Sequence, residues 1–254
     1  MKSVKKSAQH FLANVVCAFI YNDLCRKKVR AVINSPYIEW KRFVRADSGM
    51  PRARIRLSTG FSGRNLIFAI GNKYVYKFIH KQGVTGIEQR EYDIATALAD
   101  ASPIPLAVPT LLNTPYGLVR RYDFANGMTL RAFAEKYPKL YKQNKESLVK
   151  QIAKFMYEIA KQDPAAIKKH KIGYAPKGTK LREPGYMYGW YHGDIGDNFM
   201  IDPATMHVTC IIDLESMTYG DFSQNWSWEK CPLLSDFTQC VKQQYDKIWN
   251  KNHK

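Results

Sequence analysis

This sequence predicts an α+β fold in two lobes: a small antiparallel-sheet lobe with one helix, followed by a mostly helical lobe. Three observations predict it. Between Arg54 and Tyr122, short strand-like runs surround a single helix-patterned stretch. Beyond Tyr122, a long apolar stripe at helical spacing, Leu148, Ile152, Phe155, Met156 and Ile159, dominates the chain. Between those regions and the C-terminus, the string YHGDIGDNFMID from Tyr191 and IIDLES from Ile211 places two apolar runs about a turn, with acidic residues at their ends.

With 254 residues the chain can bury a sizeable core, as one domain or as two small lobes sharing a cleft. Hydrophobic residues at 45% and aromatics at 13% argue against disorder. Residues 1–50 read as a basic, mostly helical extension, 51–122 as the first lobe and 123–254 as the second. Met1 to Arg56 holds 13 Lys or Arg against three acids, +10 of the formal +17, and therefore reads as a docking surface. Its counterpart would be anionic: a phosphorylated glycan, a lipid headgroup surface or nucleic acid. Nucleic acid rests on charge alone, because no base-stacking or helix-in-groove motif accompanies it.

Five cysteines, odd in number and without a C-x-x-C pair, form neither a zinc pattern nor a disulfide framework, which suits a reducing cytoplasm. Phe11 to Tyr21 is apolar apart from Asn14 but too short to span a bilayer, which takes about 20 residues. Three readings of it stay open. Lys2, Lys5 and Lys6 ahead of it, with Val16-Cys17-Ala18, loosely resemble a signal peptide. The others are an amphipathic helix packed on the protein body and a helix lying in a membrane interface.

The first lobe opens after the turn-prone Ala46 to Pro51. Arg54 to Leu57 and Asn65 to Ile70 flank Ser58-Thr59-Gly60-Phe61-Ser62-Gly63 as a hairpin, and Tyr74 to Ile79 is a third strand. Ile87, Ile94, Ala95, Leu98 and Ala101 share one face of a helix stopped by Pro103 and Pro105. Val108 to Leu112 and Gly117 to Tyr122 complete the strands. In the second lobe, Met128 to Tyr137 precedes a helix over Lys145 to Gln162, and another helix covers Leu233 to Trp249. Pro164 to Trp190, rich in Gly, Pro, Tyr and Lys, is longer than a tight connection needs.

The chemistry gathers around Asp194. Asn198 to Ile201 enters a strand, Asp202-Pro203 turns, and Val208 to Ile212 returns to end at Asp213, so the hairpin brings Asn198 and Asp213 together. Phosphoryl transfer needs one carboxylate to orient and deprotonate a hydroxyl, plus an amide and a second carboxylate to hold magnesium. Asp194, Asn198 and Asp213 supply that set. The plain alternative for Asp213 is a strand-end carboxylate capping a turn.

These motifs resemble those of the aminoglycoside phosphotransferase and choline kinase-like group of the protein-kinase-like fold, over roughly Arg54 to Phe222. The resemblance implies ATP and Mg2+ as cofactors, Asp194 as catalytic base, Asn198 and Asp213 as metal ligands, and His192 as a support for the loop. It implies that Lys77 binds the nucleotide phosphates with Glu91 as its helix partner, Glu88 being the rival. Ser58, Thr59, Gly60, Ser62 and Gly63 would fold over the phosphates, or form a plain hairpin turn. The connector Arg121 to Gly127 would hold the base through its backbone. One departure stands out. The general kinase loop has four residues between aspartate and asparagine, whereas Ile195-Gly196-Asp197 has three. Gly196 can absorb the tightening, and Asp197 is either a substitute metal ligand or a solvent-facing turn residue.

Aminoglycosides are polycations, and a strongly basic chain suits them poorly. Cys25 to Arg30, after Phe19-Ile20, is similar to N-terminal segments of bacterial lipopolysaccharide and capsule biosynthesis enzymes. The expectation is an ATP- and Mg-dependent kinase of a sugar hydroxyl on an anionic lipopolysaccharide or capsule glycan. It would be cytoplasmic, where ATP is found, and peripheral at the inner face of the membrane through its basic segment. Pro164 to Trp190 would reach over the acceptor. The alternatives are a pseudokinase or glycan-binding module, and an aminoglycoside or other small-molecule phosphotransferase.

Overall fold

The computed structural model describes residues 22–59, 64–79, 86–167, 181–223, 234 and 236–253. The chain divides into two compact units, Met1–Glu88 with Pro109–Phe124, and Gln89–Val108 with Ala125–Lys254.

The first unit is built on a five-stranded antiparallel sheet in the order β1-β2-β3-β5-β4. The strands are Ile55–Thr59 (β1), Asn65–Ile70 (β2), Tyr74–Ile79 (β3), Thr110–Thr114 (β4) and Gly117–Asp123 (β5). Side chains alternate between the two faces of a strand, and Leu66, Phe68, Ile70, Tyr76, Phe78 and Val119 are buried on one of them. Two helices cover that face. Helix α1, Asp23–Ile33, starts at Asn22, whose side chain accepts the Cys25 N–H at 3.0 Å. Helix α2, Tyr37–Ser48, ends at Gly49 in the left-handed region (φ 66°), which glycine enters without strain.

The expected docking surface is thus partly structural. Ala31, Trp40 and Val44 are buried in the sheet's core, and Trp40 stacks on Phe78 with ring centroids 4.6 Å apart. Trp40 and Val44 are four residues apart and share one helical face. A polar staple adds to this: Asp47 accepts from the Tyr76 hydroxyl at 2.7 Å and from Arg121 at 3.0 Å. Burial, reinforced by the Asp47 carboxylate, pushes the Tyr76 hydroxyl well above its ordinary range. Residues 1–21, with the apolar segment and its lysines, lie outside the described residues, as do 168–180 of the long connection. Among the described residues no helix is long and apolar enough to cross a membrane.

In the second unit, helix α3 (Ile87–Ala99) contributes Ile94, Ala95 and Leu98 to one large apolar core. Met128–Thr129 (β6) leads into helix α4, Leu130–Lys136, capped by Thr129, whose hydroxyl accepts the Ala132 N–H at 3.2 Å. The main helix, α5, runs over Pro138–Ala160, starting seven residues before the predicted Lys145 because Pro138 occupies the first helical turn, where its missing N–H is harmless. The predicted stripe Leu148, Ile152, Phe155, Met156 and Ile159 is buried. Helix α6, Phe237–Asn252, packs along α5.

Two small sheets complete this unit. Tyr188–His192 (β7) pairs with Met217–Asp221 (β10), and β6 pairs with Phe199–Asp202 (β8), which pairs with His207–Ile211 (β9). The hairpin predicted around Asp202-Pro203 is β8 and β9. Strand β7 lies against the C-terminal end of α5 at Gly189, where an added Cβ would collide with the Ala160 carbonyl. Gly189→Ala is expected to destabilise the protein by about 3 kcal/mol or more, because neither colliding group is a flexible side chain. Gly185→Ala, with nothing within 4 Å of its added Cβ, serves as the control. Chemical denaturation of both variants checks this, and the control should stay within about 0.5 kcal/mol of the parent.

Candidate active site

β7 carries the chain to His192 at the base of the site. Asp194 follows at φ −145°, leading into a single helical turn, Ile195–Asn198, before β8 begins at Phe199. The His192 ring is fully buried and packs edge-on against Phe199 with centroids 5.8 Å apart. Its Nδ1 accepts the Asp194 N–H at 3.1 Å, and its Nε2 lies 3.3 Å from the Ile212 carbonyl oxygen. A ring that accepts at Nδ1 and donates from Nε2 is the neutral Nε2–H tautomer. Burial pushes its pKa below the ordinary histidine value, against the pull of the Asp213 and Asp194 carboxylates.

A second bond closes the network. The Ile212 N–H donates to the Asn198 carbonyl at 2.9 Å, extending the β8 and β9 pairing in which Phe199 faces Ile211. The loop of Asp194 and Asn198 is therefore tied to the residue before Asp213 from both sides. Asp213 itself takes the left-handed conformation, φ 59° and ψ 46°, and accepts the Ser216 N–H at 3.1 Å. A residue other than glycine held there costs on the order of 1 kcal/mol or more and persists only where its surroundings enforce it.

Asn198 is 5% exposed, and its Nδ2 has no hydrogen-bond partner among the described residues. The two ends of an amide exchange by rotation, so a buried amide with one unmet end beside the Asp213 strand fits an oxygen-seeking cation. Among the described residues no three His, Cys, Asp or Glu side chains cluster to hold a metal. Magnesium suits such a sparse set, because it keeps waters and phosphate oxygens as its other ligands. Asp197, the other candidate ligand, pairs instead with Arg131 of α4, Oδ2 to guanidinium 3.1 Å.

In the first unit, Lys77 of β3 is 9% exposed and lies 5.1 Å from the centroid of the Tyr122 ring. Its register partners are Ile67 on β2 and Arg120 on β5. Directly paired residues of an antiparallel sheet point to the same side, so Lys77 and Arg120 share the face opposite the helices. Arg120 is fully buried and donates to Asn65 at 3.1 Å. Ser58, paired with Ile67, belongs to that face as well, while Thr59 ends β1 on the other. Gly60, Ser62 and Gly63 lie outside the described residues. Glu91 and its rival Glu88 are both buried on α3. Arg120 and Arg131 escaped the sequence reading; for Arg120 the available signal was a charged residue that alternation places on the face of Tyr122, opposite Val119 and Arg121.

No protein-family model and no curated protein matches the chain by sequence. Solved structures do match. Wild-type aminoglycoside 2'-phosphotransferase-IIIa, in its GDP complex, matches at TM-score 0.62 and 17% identity, with 84% of each chain covered. The ADP-bound aminoglycoside phosphotransferase APH(2'')-Ib matches at 0.60 and 14%, covering 84% of this chain and 85% of that one. APH(3'')-Id from Streptomyces rimosus matches at 0.56 and 14%, covering 83% and 92%. The chain has the aminoglycoside phosphotransferase fold. In this fold, the buried His192 joins the backbone of Asp194 to that of Ile212, the residue before Asp213, in one connected network.

The neutral imidazole makes stability depend on pH. Below about pH 6.5 the unfolded chain takes up a proton that the folded protein resists, so this contribution is complete above that pH and is lost as pH falls, by up to about 1.4 kcal/mol per pH unit. His192→Gln should flatten the stability profile between about pH 6.5 and 5, as read by urea denaturation at several pH values. Parallel profiles in parent and variant would contradict a buried neutral His192.

Proposed function

We propose that this protein is a phosphotransferase that moves the γ-phosphoryl group of ATP to a hydroxyl of a small molecule. The observation that carries the reading is the His192 network, which ties the Asp194 and Asn198 loop to Asp213 within a phosphotransferase fold. Asp194 orients the acceptor hydroxyl and takes its proton as the oxygen attacks the γ-phosphorus, and ADP leaves. Asn198 and Asp213 hold Mg2+, with Asn198 preferred over Asp197 because Arg131 already neutralises the Asp197 carboxylate. When bound, the metal supplies neutralisation of the phosphate charge. Lys77, on the sheet face it shares with Ser58 and Arg120, steadies the nucleotide phosphates. Residues 51–122 serve the nucleotide, and residues 123–254 serve catalysis and the acceptor.

A second acceptor reading, motivated by charge, is a sugar hydroxyl on an anionic glycan of the lipopolysaccharide or capsule kind. The formal charge of +17 supports an anionic partner, and the basic residues of Met1–Arg56 support contact with an anionic membrane at its cytoplasmic face. Solved neighbours support the small-molecule acceptor, an aminoglycoside or similar compound: one is a ternary complex of streptomycin, ATP and APH(2")-IIa, another a complex of gentamicin with APH(2")-IIa.

Nucleotide turnover by the parent, Asp194→Ala and Asp213→Ala tests the reaction. Loss of the base is expected to lower turnover about 10²- to 10⁴-fold, and Asp213→Ala to remove the response to magnesium. Equal turnover in all three proteins would sink the assignment.

A further inference from the structure

Resting on the reading of Asp213 as a magnesium ligand, we infer that Arg90 is a positioning residue that holds the Asp213 carboxylate in its metal-binding pose. Arg90 lies on α3, beside Glu91. Its two terminal guanidinium nitrogens donate to the carbonyl oxygens of Glu215 and Met217, each at 2.7 Å. Those two carbonyls bracket the end of the short 3-10 turn Leu214–Ser216 that follows Asp213.

The rest of this segment is secured by its neighbours. Before Asp213, Ile212 is bonded through its N–H to Asn198 and through its carbonyl to His192. After the turn, Met217 enters β10 opposite His192 of β7. Between these anchors the backbone leaves its strand and takes the left-handed conformation at Asp213, where the Ser216 N–H closes on the Asp213 carbonyl. Arg90 supplies two further donors across this stretch. Its planar fork satisfies two carbonyls at fixed separation, which the single point charge of a lysine does not reproduce. Burial lowers the guanidinium pKa from its ordinary value, while the carboxylates of Glu215 and Glu91 pull it back up. The group stays charged, and its bonds to the carbonyls are charge-assisted. Without this fork, Asp213 is free to return to an ordinary backbone conformation, turning its carboxylate away from the place where Asn198 shares the metal.

The test uses the full chain with Arg90→Met and Arg90→Lys, alongside Asp213→Ala. ATP binding and nucleotide turnover are measured as functions of free Mg2+, with thermal unfolding as a check on folding. Arg90→Met is expected to raise the magnesium concentration at half-saturation about tenfold or more and to lower turnover 10- to 100-fold. ATP binding without magnesium should remain at the parent value, and Arg90→Lys should fall between Arg90→Met and the parent. Folded Arg90 variants with the parent's magnesium response would overturn the inference while leaving the phosphotransferase reading in place. If Arg90→Met does not fold, the Arg90→Lys magnesium response decides in the same way. A parent whose ATP binding ignores magnesium, or an Asp213→Ala protein that responds like the parent, overturns both readings.

Discussion

A single uncharged imidazole holds the loop of Asp194 and Asn198 in register with the strand that leads to Asp213. His192 accepts from the backbone of Asp194 and faces the carbonyl of Ile212, so one rigid ring spans the loop that carries the proposed base and the strand that delivers the proposed metal ligand. A protonated ring would lose the acceptor at Nδ1 and add a buried charge. The surrounding apolar packing, with Phe199 against the ring and Trp190 buried two residues before it on β7, excludes water from that choice. The carboxylates beside His192 favour protonation, yet desolvation outweighs them. Positional precision at the site thus depends on hydrophobic burial of a polar group whose two nitrogens are both engaged.

Much of this was readable in the sequence. The Asn198–Asp213 hairpin follows from two apolar runs about Asp202-Pro203, and the α5 stripe follows from its 3.6-residue period. Strands β7 and β10 escaped the sequence reading because Tyr188–His192 and Met217–Asp221 hold few β-branched residues and pair with each other across some 25 residues of intervening chain. Arg131 was invisible for a related reason: its partner Asp197 is remote in sequence, and nothing local marks an arginine after a capping threonine as a carboxylate's neighbour. The left-handed Asp213 was equally hidden, since residues other than glycine seldom take such angles, and Val208 to Asp213 reads as a strand to its last residue.

The shortened loop between Asp194 and Asn198 is accommodated within regular structure. Ile195 to Asn198 form one helical turn, with Ile195, Gly196 and Asn198 buried and Asp197 projecting to Arg131. Three intervening residues therefore suffice to bring the chain around from Asp194 to Asn198, next to the start of β8. The turn leaves Asn198 inward and Asp197 outward, a division that sequence alone could not make between two adjacent polar residues.

The helices over the sheet of the first unit have a different kind of consequence. Ala31, Trp40 and Val44 fill its core, and Asp47 anchors Tyr76 and Arg121, on the same stretch of chain that carries Arg26, Lys27, Lys28, Arg30, Lys41, Arg42 and Arg45. Packing and positive charge are thus encoded together. A lineage could dilute that charge one substitution at a time, but deleting the segment would expose the sheet, so the segment itself, rather than its charge, is protected by the fold it helps to build.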